Sequence, residues 1–175
     1  MADTKQRIQD VARELFARQG YTGTSMADIA GRLSITPAAL YYHYKSKADV
    51  LDALLAEPLA AYAELAERAS VLTPAELLAA FVDFTARANA VIPVVTGDPA
   101  VRDLLDERFP RSPKEMMDAV IAALAGPDPD RPALIRAHAA FAVVKEATAA
   151  VLAERGLESA DRKEILAAAR RVLDA

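Results

Sequence analysis

Apolar residues recur every three or four positions along most of this chain, the spacing that places side chains on one face of an α-helix. Capping residues followed by proline, as in Thr36-Pro37, Thr73-Pro74 and Ser112-Pro113, mark helix starts between these stripes. The pattern predicts an all-α protein of about nine helices, which we place near residues 4–19, 26–32, 37–44, 47–69, 73–91, 98–109, 112–125, 132–155 and 159–173.

The stretch from Ser25 to Lys47 predicts two short helices joined by a tight turn. Ser25 begins the first helix with a capping box, and Thr36 caps the second. Because only about three residues separate them, the two helices must cross steeply, as in a helix-turn-helix. The second helix ends in YYHYKSK, whose hydroxyl and ammonium groups suit phosphate oxygens. The residues alone equally allow that its tyrosines pack in the core and its lysines form a solvated edge.

Residues 23–51, GTSMADIAGRLSITPAALYYHYKSKADVL, resemble the DNA-binding module of the TetR family of repressors. The resemblance covers about residues 4–55. It implies that tyrosine, histidine and lysine side chains hold DNA phosphates, while threonine and alanine methyl groups of the second helix touch base edges. The free N–H groups at the N-terminus of the first helix of this helix-turn-helix add an anion site. The expected DNA contacts are Thr24, Ser25, Thr36, Pro37, Ala38, Ala39, Tyr41, Tyr42, His43 and Lys47.

Alanine stands at positions 27 and 38, where some members of the family carry longer polar side chains. Hydrogen bonds to specific bases are therefore expected to be sparse. Sequence preference would then depend more on the shape and deformability of the DNA.

Charge is distributed unevenly along the chain, whose net charge is −4. Residues 1–48 hold seven Lys and Arg against four Asp and Glu, whereas the remainder holds fourteen against twenty-one. A basic N-terminal region on an acidic body orients the molecule toward a phosphate backbone.

Metal and membrane chemistry have little support in the sequence. The chain has no cysteine and only two histidines, His43 and His138, so disulfides and thiolate or histidine-rich metal sites are excluded. No long apolar run or signal-peptide core is present. We therefore expect a cytoplasmic protein without a cofactor, a metal or a membrane anchor.

The last two predicted helices favour a dimer. The helix at 132–155 is apolar almost all round, and a chain this small has little left to cover every side of it. A second copy of the chain would complete a four-helix bundle, and proteins of the TetR family pair in this way. The expected interface residues are Val143, Ala147, Ile165, Leu166, Ala169, Val172 and Leu173.

The resemblance also implies an effector cavity in the C-terminal body, among the fifth to eighth predicted helices. The residues offer an apolar lining with a few polar groups, and the candidates are Phe81, Phe84, Arg87, Met117, His138, Phe141 and Lys145. Ordinary core packing is the alternative for the aromatic residues and Met117. An ion pair with Asp83, four residues away on the same helix, is the alternative for Arg87.

The sequence therefore predicts a small-molecule-responsive transcriptional repressor that binds a near-palindromic DNA operator as a homodimer. Residues 1–47 would form the DNA-binding domain, and residues 48–175 would bind the largely apolar effector and dimerise. One alternative is an activator or an effector-independent regulator on the same fold. The other is an all-helical enzyme, but the sequence has no Ser-His-Asp spacing, glycine-rich phosphate loop or facing carboxylate pair to favour it.

Overall fold

The computed structural model describes residues 4–175. This part of the chain contains ten helices and no β-strand, so the all-α fold is confirmed. The helices are α1 (Thr4–Gln19), α2 (Met26–Leu33), α3 (Pro37–His43), α4 (Lys47–Arg68), α5 (Pro74–Ala88), α6 (Ile92–Gly97), α7 (Pro99–Arg108), α8 (Pro113–Ala125), α9 (Arg131–Glu154) and α10 (Ser159–Leu173). None of them has the length and apolarity needed to span a bilayer.

The additional helix, α6, lies where the sequence predicted only the end of the fifth helix. That helix stops at Ala88, and a separate six-residue helix begins at Ile92 with Pro93 in its first turn. Proline at this position starts a helix as readily as it limits one, because its missing N–H would have no partner in a first turn. Val94 on this helix is buried.

The chain divides into two compact units. The first comprises the chain to Leu59 together with Ala90–Pro110, and the second comprises Ala60–Asn89 and Arg111–Ala175. Helix α4 contributes residues to both units and continues through Pro58. The predicted functional division between residues 47 and 48 is a different one, and it stays a prediction.

The first unit has its core beneath the three N-terminal helices. Ile8 and Phe16 of α1, Ile29 of α2 and Leu40 of α3 are all buried. Phe16 meets the ring of Tyr21 edge-on, with centroids 5.2 Å apart. Each such apolar side chain contributes about 1.5–3 kcal/mol when removed from water. Phe16 therefore belongs to the core of this unit, and Tyr21 packs beside it in the turn after α1.

The second unit is built around α9, which packs against α5, α8 and α10. A row of stacked rings runs through its core. Tyr62 stacks on Phe84 with centroids 4.6 Å apart, and Phe81 stacks on Phe141 at 4.3 Å. Offset stacking of this kind adds about 0.5–1.5 kcal/mol per pair to the burial of the rings.

One ion pair ties α10 to α5 across the surface of the second unit. Arg162 donates from Nε to Oδ1 of Asp83 at 3.0 Å and from Nη2 to Oδ2 at 2.8 Å. The fork of the guanidinium matches both carboxylate oxygens. This contact replaces the pair between Asp83 and Arg87 that the sequence suggested, because a partner on a neighbouring helix presents better geometry than one on the same helix.

Candidate nucleic-acid interface

The start of α2 is held by the predicted capping box. The amide of Asp28 donates to Oγ of Ser25 at 3.1 Å, and the Asp28 carboxylate accepts from the amide of Ser25 at 2.8 Å. The hydrogen bond from the Ser25 side chain lowers the pKa of the Asp28 carboxyl below its ordinary value. The carboxylate therefore stays ionised at neutral pH and complements the positive end of the helix.

A three-residue turn joins α2 to α3, as predicted. Ser34 adopts the left-handed conformation at φ +56°, and its amide donates to the carbonyl of Gly31 at 3.1 Å. Thr36 then caps α3 by accepting from the amide of Ala39 at 3.2 Å, with Pro37 in the first turn. Local hydrogen bonds thus set the angle between the two helices.

The tyrosines at the end of α3 divide between surface and core. Tyr42 is 87% exposed and Tyr41 is 50% exposed, whereas Tyr44 is buried. The hydroxyl of Tyr44 accepts from Nε2 of Gln9 at 2.9 Å. The alternative of packing aromatics therefore holds for Tyr44, and the other two hydroxyl groups point away from the core.

The first turns of α3 present a thin surface beside these tyrosines. Thr36, Pro37, Ala38 and Ala39 are all exposed, while Leu40 on the opposite side is completely buried. Because the exposed side chains are short, a groove floor can approach the backbone of this helix. His43 is half-buried, and its ring lies edge-on to the ring of Tyr42 with centroids 5.3 Å apart.

Lys47 has a role inside the unit that the sequence did not reveal. Its ammonium donates to the carbonyl oxygens of Tyr21 at 2.6 Å and of Thr24 at 2.7 Å, and it lies 4.2 Å from the Tyr21 ring centroid. Burial lowers the pKa of this ammonium from its ordinary value. An ammonium has three N–H donors, so one remains for a phosphate. Contacts across more than twenty residues leave no signal in helical periodicity, which explains why this role was missed.

Thr24 and Ser25, the two residues predicted before α2, differ in access. Thr24 is only 2% exposed, its hydroxyl donates to the carbonyl of Gly20 at 2.8 Å, and its amide donates to Tyr21. The turn uses the donors of this residue, so we leave it out of the DNA contacts proposed below. Ser25 is exposed, although its hydroxyl also bonds to Asp28.

The seven predicted effector residues fall into two groups in the second unit. Phe81 and Phe141 are buried in the ring stack, and Phe84 and Met117 pack against the same core. The polar candidates lie further out: Arg87 and His138 are exposed, and Lys145 pairs with Glu146 at 3.0 Å.

A pocket of about 450 Å³ in this unit has a different lining. It lies against α4, α8 and the chain that follows each of them, and small side chains such as Ala66, Ala69, Ala119 and Ala123 form its walls. None of the seven predicted residues lines it. The effector site stays a prediction; the ring stack accounts for its three phenylalanines as packing, and Met117 packs against the same core.

The predicted dimer residues are partly used by the second unit itself. Ile165 and Ala169 are buried in its core, so a second copy has no surface there to cover. Val143, Ala147, Leu166 and Leu173 are half-buried against that core, and Val172 is half-buried as well. The fully exposed face of α9 carries instead Ile135, His138, Ala142 and Glu146.

The described part of the chain has no cluster of side chains suited to bind a metal ion. Within residues 4–175, no group of three or more His, Cys, Asp or Glu side chains is placed to hold a metal ion.

Comparison with known proteins places the N-terminal module. The family model for bacterial regulatory proteins of the tetR family matches residues 8–54, the stretch that contains α1, α2, α3 and the first turns of α4. Residues 8–54 are thus similar to this family, and we call them the TetR module. The TetR module thus contains every exposed residue of the candidate interface.

Curated relatives resemble this chain over the TetR module alone. The transcriptional regulator AcrR of Shigella flexneri is 44% identical over 48 residues, which are 27% of this chain and 22% of that protein. The negative transcriptional regulator IcaR of Staphylococcus aureus has the same identity over 48 residues, 26% of its length. The chain therefore spans about a quarter of the length of these two relatives.

Solved structures resemble the whole fold. A transcriptional regulator from Aquifex aeolicus matches with a TM-score of 0.66 at 23% identity, over 98% of each chain. AmtR of Mycobacterium smegmatis has a TM-score of 0.66 at 24% identity, over 99% of this chain and 87% of its own. At these identities the likeness concerns the fold, and it extends beyond the TetR module into the second unit.

Proposed function

We propose that this protein is a transcriptional regulator that binds a near-palindromic DNA operator as a homodimer and is released from it by a small, largely apolar effector. The observation that carries this proposal is the surface of α3 in the TetR module. Two tyrosine hydroxyls point outward beside a helix edge made only of small side chains. A buried packing element would have the opposite arrangement.

In this proposal α3 enters the major groove. Ser25, Tyr41, Tyr42, His43 and Lys47 hold phosphate oxygens, which fixes the register of the module on the duplex. The exposed methyl groups of Thr36, Ala38 and Ala39, next to Pro37, lie against base edges, where a thymine methyl is their natural partner. Such contacts discriminate weakly between bases, so DNA shape supplies part of the specificity.

Dimerisation is proposed through α9 and α10 of each copy. The exposed face of α9 with Ile135, which is 60% exposed, and Ala142 supplies apolar surface for a partner. The half-buried residues Val143 and Ala147 of α9 would contribute to the same interface, together with Leu166, Val172 and Leu173 of α10. A two-fold pair would present two α3 helices to half-sites about 34–36 Å apart.

The proposed response to an effector uses α4. This helix begins at Lys47 in the first unit and ends at Arg68 in the second, so it contributes residues to both. An effector shifts the equilibrium between two arrangements only by as much as its affinities for them differ. Repression, a cytoplasmic location and the absence of enzymatic activity are part of the same proposal.

The direct test is DNA binding by the intact protein. Fluorescence anisotropy with labelled fragments from upstream of its own coding sequence should give a specific complex of two chains per operator. The logarithm of the affinity should fall linearly with the logarithm of the salt concentration, because phosphate contacts release counterions. Absence of binding to every upstream fragment, together with turnover of a small molecule, would favour the all-helical enzyme instead. Mapping the operator against the promoter separates repression from activation.

A further inference from the structure

The residue Asp98 connects the junction of α6 and α7 to the turn between α1 and α2. Its Oδ2 accepts a hydrogen bond from the amide of Thr22 at 2.7 Å, although 76 positions separate the two residues. Its Oδ1 accepts from the amide of Ala100 at 3.0 Å and thereby caps α7. The two carboxylate oxygens therefore have different partners, one in the turn and one in the helix.

The turn held by Asp98 is the same turn that holds Lys47. Tyr21 and Thr24, which flank Thr22, supply the two carbonyl oxygens that accept from the Lys47 ammonium. The Thr22 amide that donates to Asp98 and the Tyr21 carbonyl that accepts from Lys47 belong to one peptide group, so this group links the carboxylate to the lysine. Every bond in it lies within the first unit.

The backbone of the turn is shaped to admit the carboxylate. Gly20 adopts φ +79°, a conformation that favours glycine. A Cβ atom at this position would approach Oδ2 of Asp98 to 3.3 Å, closer than an ordinary van der Waals contact. Glycine therefore serves two purposes here, the left-handed turn and the close approach of Asp98.

The opposite end of α7 is attached to the same unit. Arg108, the last residue of this helix, donates through Nε to both carboxylate oxygens of Asp52 on α4 at 3.0 Å, and its Nη2 also bonds to Asp52. Asp49 lies 3.8 Å from the same guanidinium. Helix α7 is thus bonded at both ends within the first unit, to the α1–α2 turn through Asp98 and to α4 through Arg108.

We propose that Asp98 is a positioning residue for DNA binding, because it fixes the turn whose carbonyl oxygens aim the Lys47 ammonium at a DNA phosphate. The inference rests on the proposed function and deepens it, since it places part of the control of the DNA-binding surface in residues 90–110. Any shift of the α6–α7 junction that withdraws the carboxylate frees the Thr22 amide and loosens the lysine. DNA affinity then falls although no residue of α3 has moved.

The test uses Asp98→Ser in the full-length protein. Serine is a good N-cap and keeps α7 capped, but its single short hydroxyl cannot also reach Thr22. Asp130→Ser is the matched control, because Asp130 caps α9 by accepting from Ala133 at 2.8 Å and belongs to the second unit. Both variants and the wild type are measured by DNA anisotropy across a salt series and by amide hydrogen exchange without DNA.

We expect Asp98→Ser to weaken DNA binding about tenfold. The salt slope should fall by about one to two, since each lost phosphate contact contributes about 0.9 and the dimer carries two lysines. Exchange of the Thr22 amide should accelerate. Asp130→Ser should change neither the slope nor this exchange rate.

Three results would overturn the inference. One is an unchanged slope and affinity in Asp98→Ser while the wild type binds DNA. Another is a loss of affinity equal to that of the control with an unchanged slope, which would indicate general destabilisation. The third is unchanged exchange of Thr22. If wild-type protein binds no DNA, the proposed function itself fails, and this is visible before any variant is examined.

Should Asp98→Ser fold poorly by circular dichroism, Asp98→Asn replaces it. This variant conserves size but has one acceptor oxygen for two amide donors. Acceleration of Thr22 or Ala100 exchange with a reduced salt slope supports the inference, and an unchanged slope contradicts it.

Discussion

The two units differ in the internal contacts that stand out in each of them. In the first unit, polar side chains reach across the sequence to bond the backbone of a single turn, as Lys47 and Asp98 do. In the second unit, stacked rings of Tyr62, Phe84, Phe81 and Phe141 fill the core. Directional bonds fix the position of a surface to a fraction of an ångström, whereas apolar packing supplies most of the stability and tolerates small adjustments.

This contrast agrees with the pattern of similarity to known proteins. The TetR module matches relatives at 44% identity over 48 residues, while solved structures of the whole fold match at 23% and 24%. In the proposed function the surface of the TetR module contacts DNA phosphates, which would constrain individual residues. A helical core constrains only volume and apolar character, so its sequence varies while its fold persists.

The largest expected effect breaks the core of the second unit. Phe81→Ala should reduce the free energy of unfolding by about 3–5 kcal/mol, because it removes a buried ring and leaves a cavity among its stacked neighbours. Urea denaturation followed by circular dichroism measures it. Val71→Ala is the control, since Val71 is exposed and should change stability by less than about 0.5 kcal/mol. A loss below about 1 kcal/mol for the phenylalanine would show that the ring stack is not the centre of this core.

The next effect concerns DNA binding without stability. Tyr42→Ala should weaken binding tenfold or more on every DNA sequence, because a hydrogen bond to a charged group contributes about 1.5–3 kcal/mol. The unfolding curve should remain within about 0.5 kcal/mol of the wild type, because the side chain is almost fully exposed.

One control variant and one double variant sharpen this comparison. Tyr44→Phe removes the hydroxyl that bonds to Gln9 and should affect stability rather than DNA affinity. Combining Tyr42→Ala with Lys47→Ala should reduce the dependence of DNA affinity on salt concentration. The double variant should remain a dimer in sedimentation. Unchanged affinity in the double variant would contradict the assignment of both residues to phosphate contacts.

A pH-dependent effect of intermediate size is expected in the second unit. Burial raises the pKa of Tyr62 above its ordinary value near 10. The Tyr62 hydroxyl therefore ionises at a higher pH in the folded protein than in the unfolded chain. Its contribution to the free energy of unfolding is complete below pH 10 and is lost as the pH rises above it. At pH 11 this residue should cost about 1.4 kcal/mol. Denaturation at pH 8 and pH 11 should show a smaller decrease in Tyr62→Phe, and equal decreases would contradict the prediction.

The smallest expected effect is at the surface of the second unit. Arg162→Ala should reduce the free energy of unfolding by at most about 1 kcal/mol, because its pair with Asp83 is largely exposed and screened by water. Arg170→Ala is a matched control, because Arg170 is an exposed arginine on the same helix. A loss above about 2 kcal/mol from Arg162→Ala would mean that this pair, rather than apolar packing, holds α10 to α5.

Local signals were sufficient for most elements of the fold. The capping box at Ser25 and the helix starts at Thr73 and Ser112 lie where the sequence predicted them. Such features depend on residues three or four positions apart, which a single sequence displays directly. Helix α6 was missed because Pro93 is compatible with either an end or a start.

The candidate site was only partly predictable for the same reason. The exposed position of Tyr42 and the inward position of Leu40 follow from helical spacing once α3 is placed. The engagement of Lys47 with Tyr21 and Thr24 does not, because it depends on how α4 meets the preceding turn. The resemblance suggested an effector cavity and a dimer, but the apolar residues for both were chosen from the apolar pattern, which does not distinguish a core from a surface that binds a partner.

The sequence by itself determined the helices, their caps, the helix-turn-helix and the basic character of the N-terminal region, because each depends on neighbours along the chain. Only the tertiary structure decided that Asp98 bonds to Thr22 and that Asp83 pairs with Arg162 rather than with Arg87. It also decided that Ile165 and Ala169 belong to the core of their own unit. These contacts join residues that are distant in the chain, and side chains select such partners by geometry after the helices have packed.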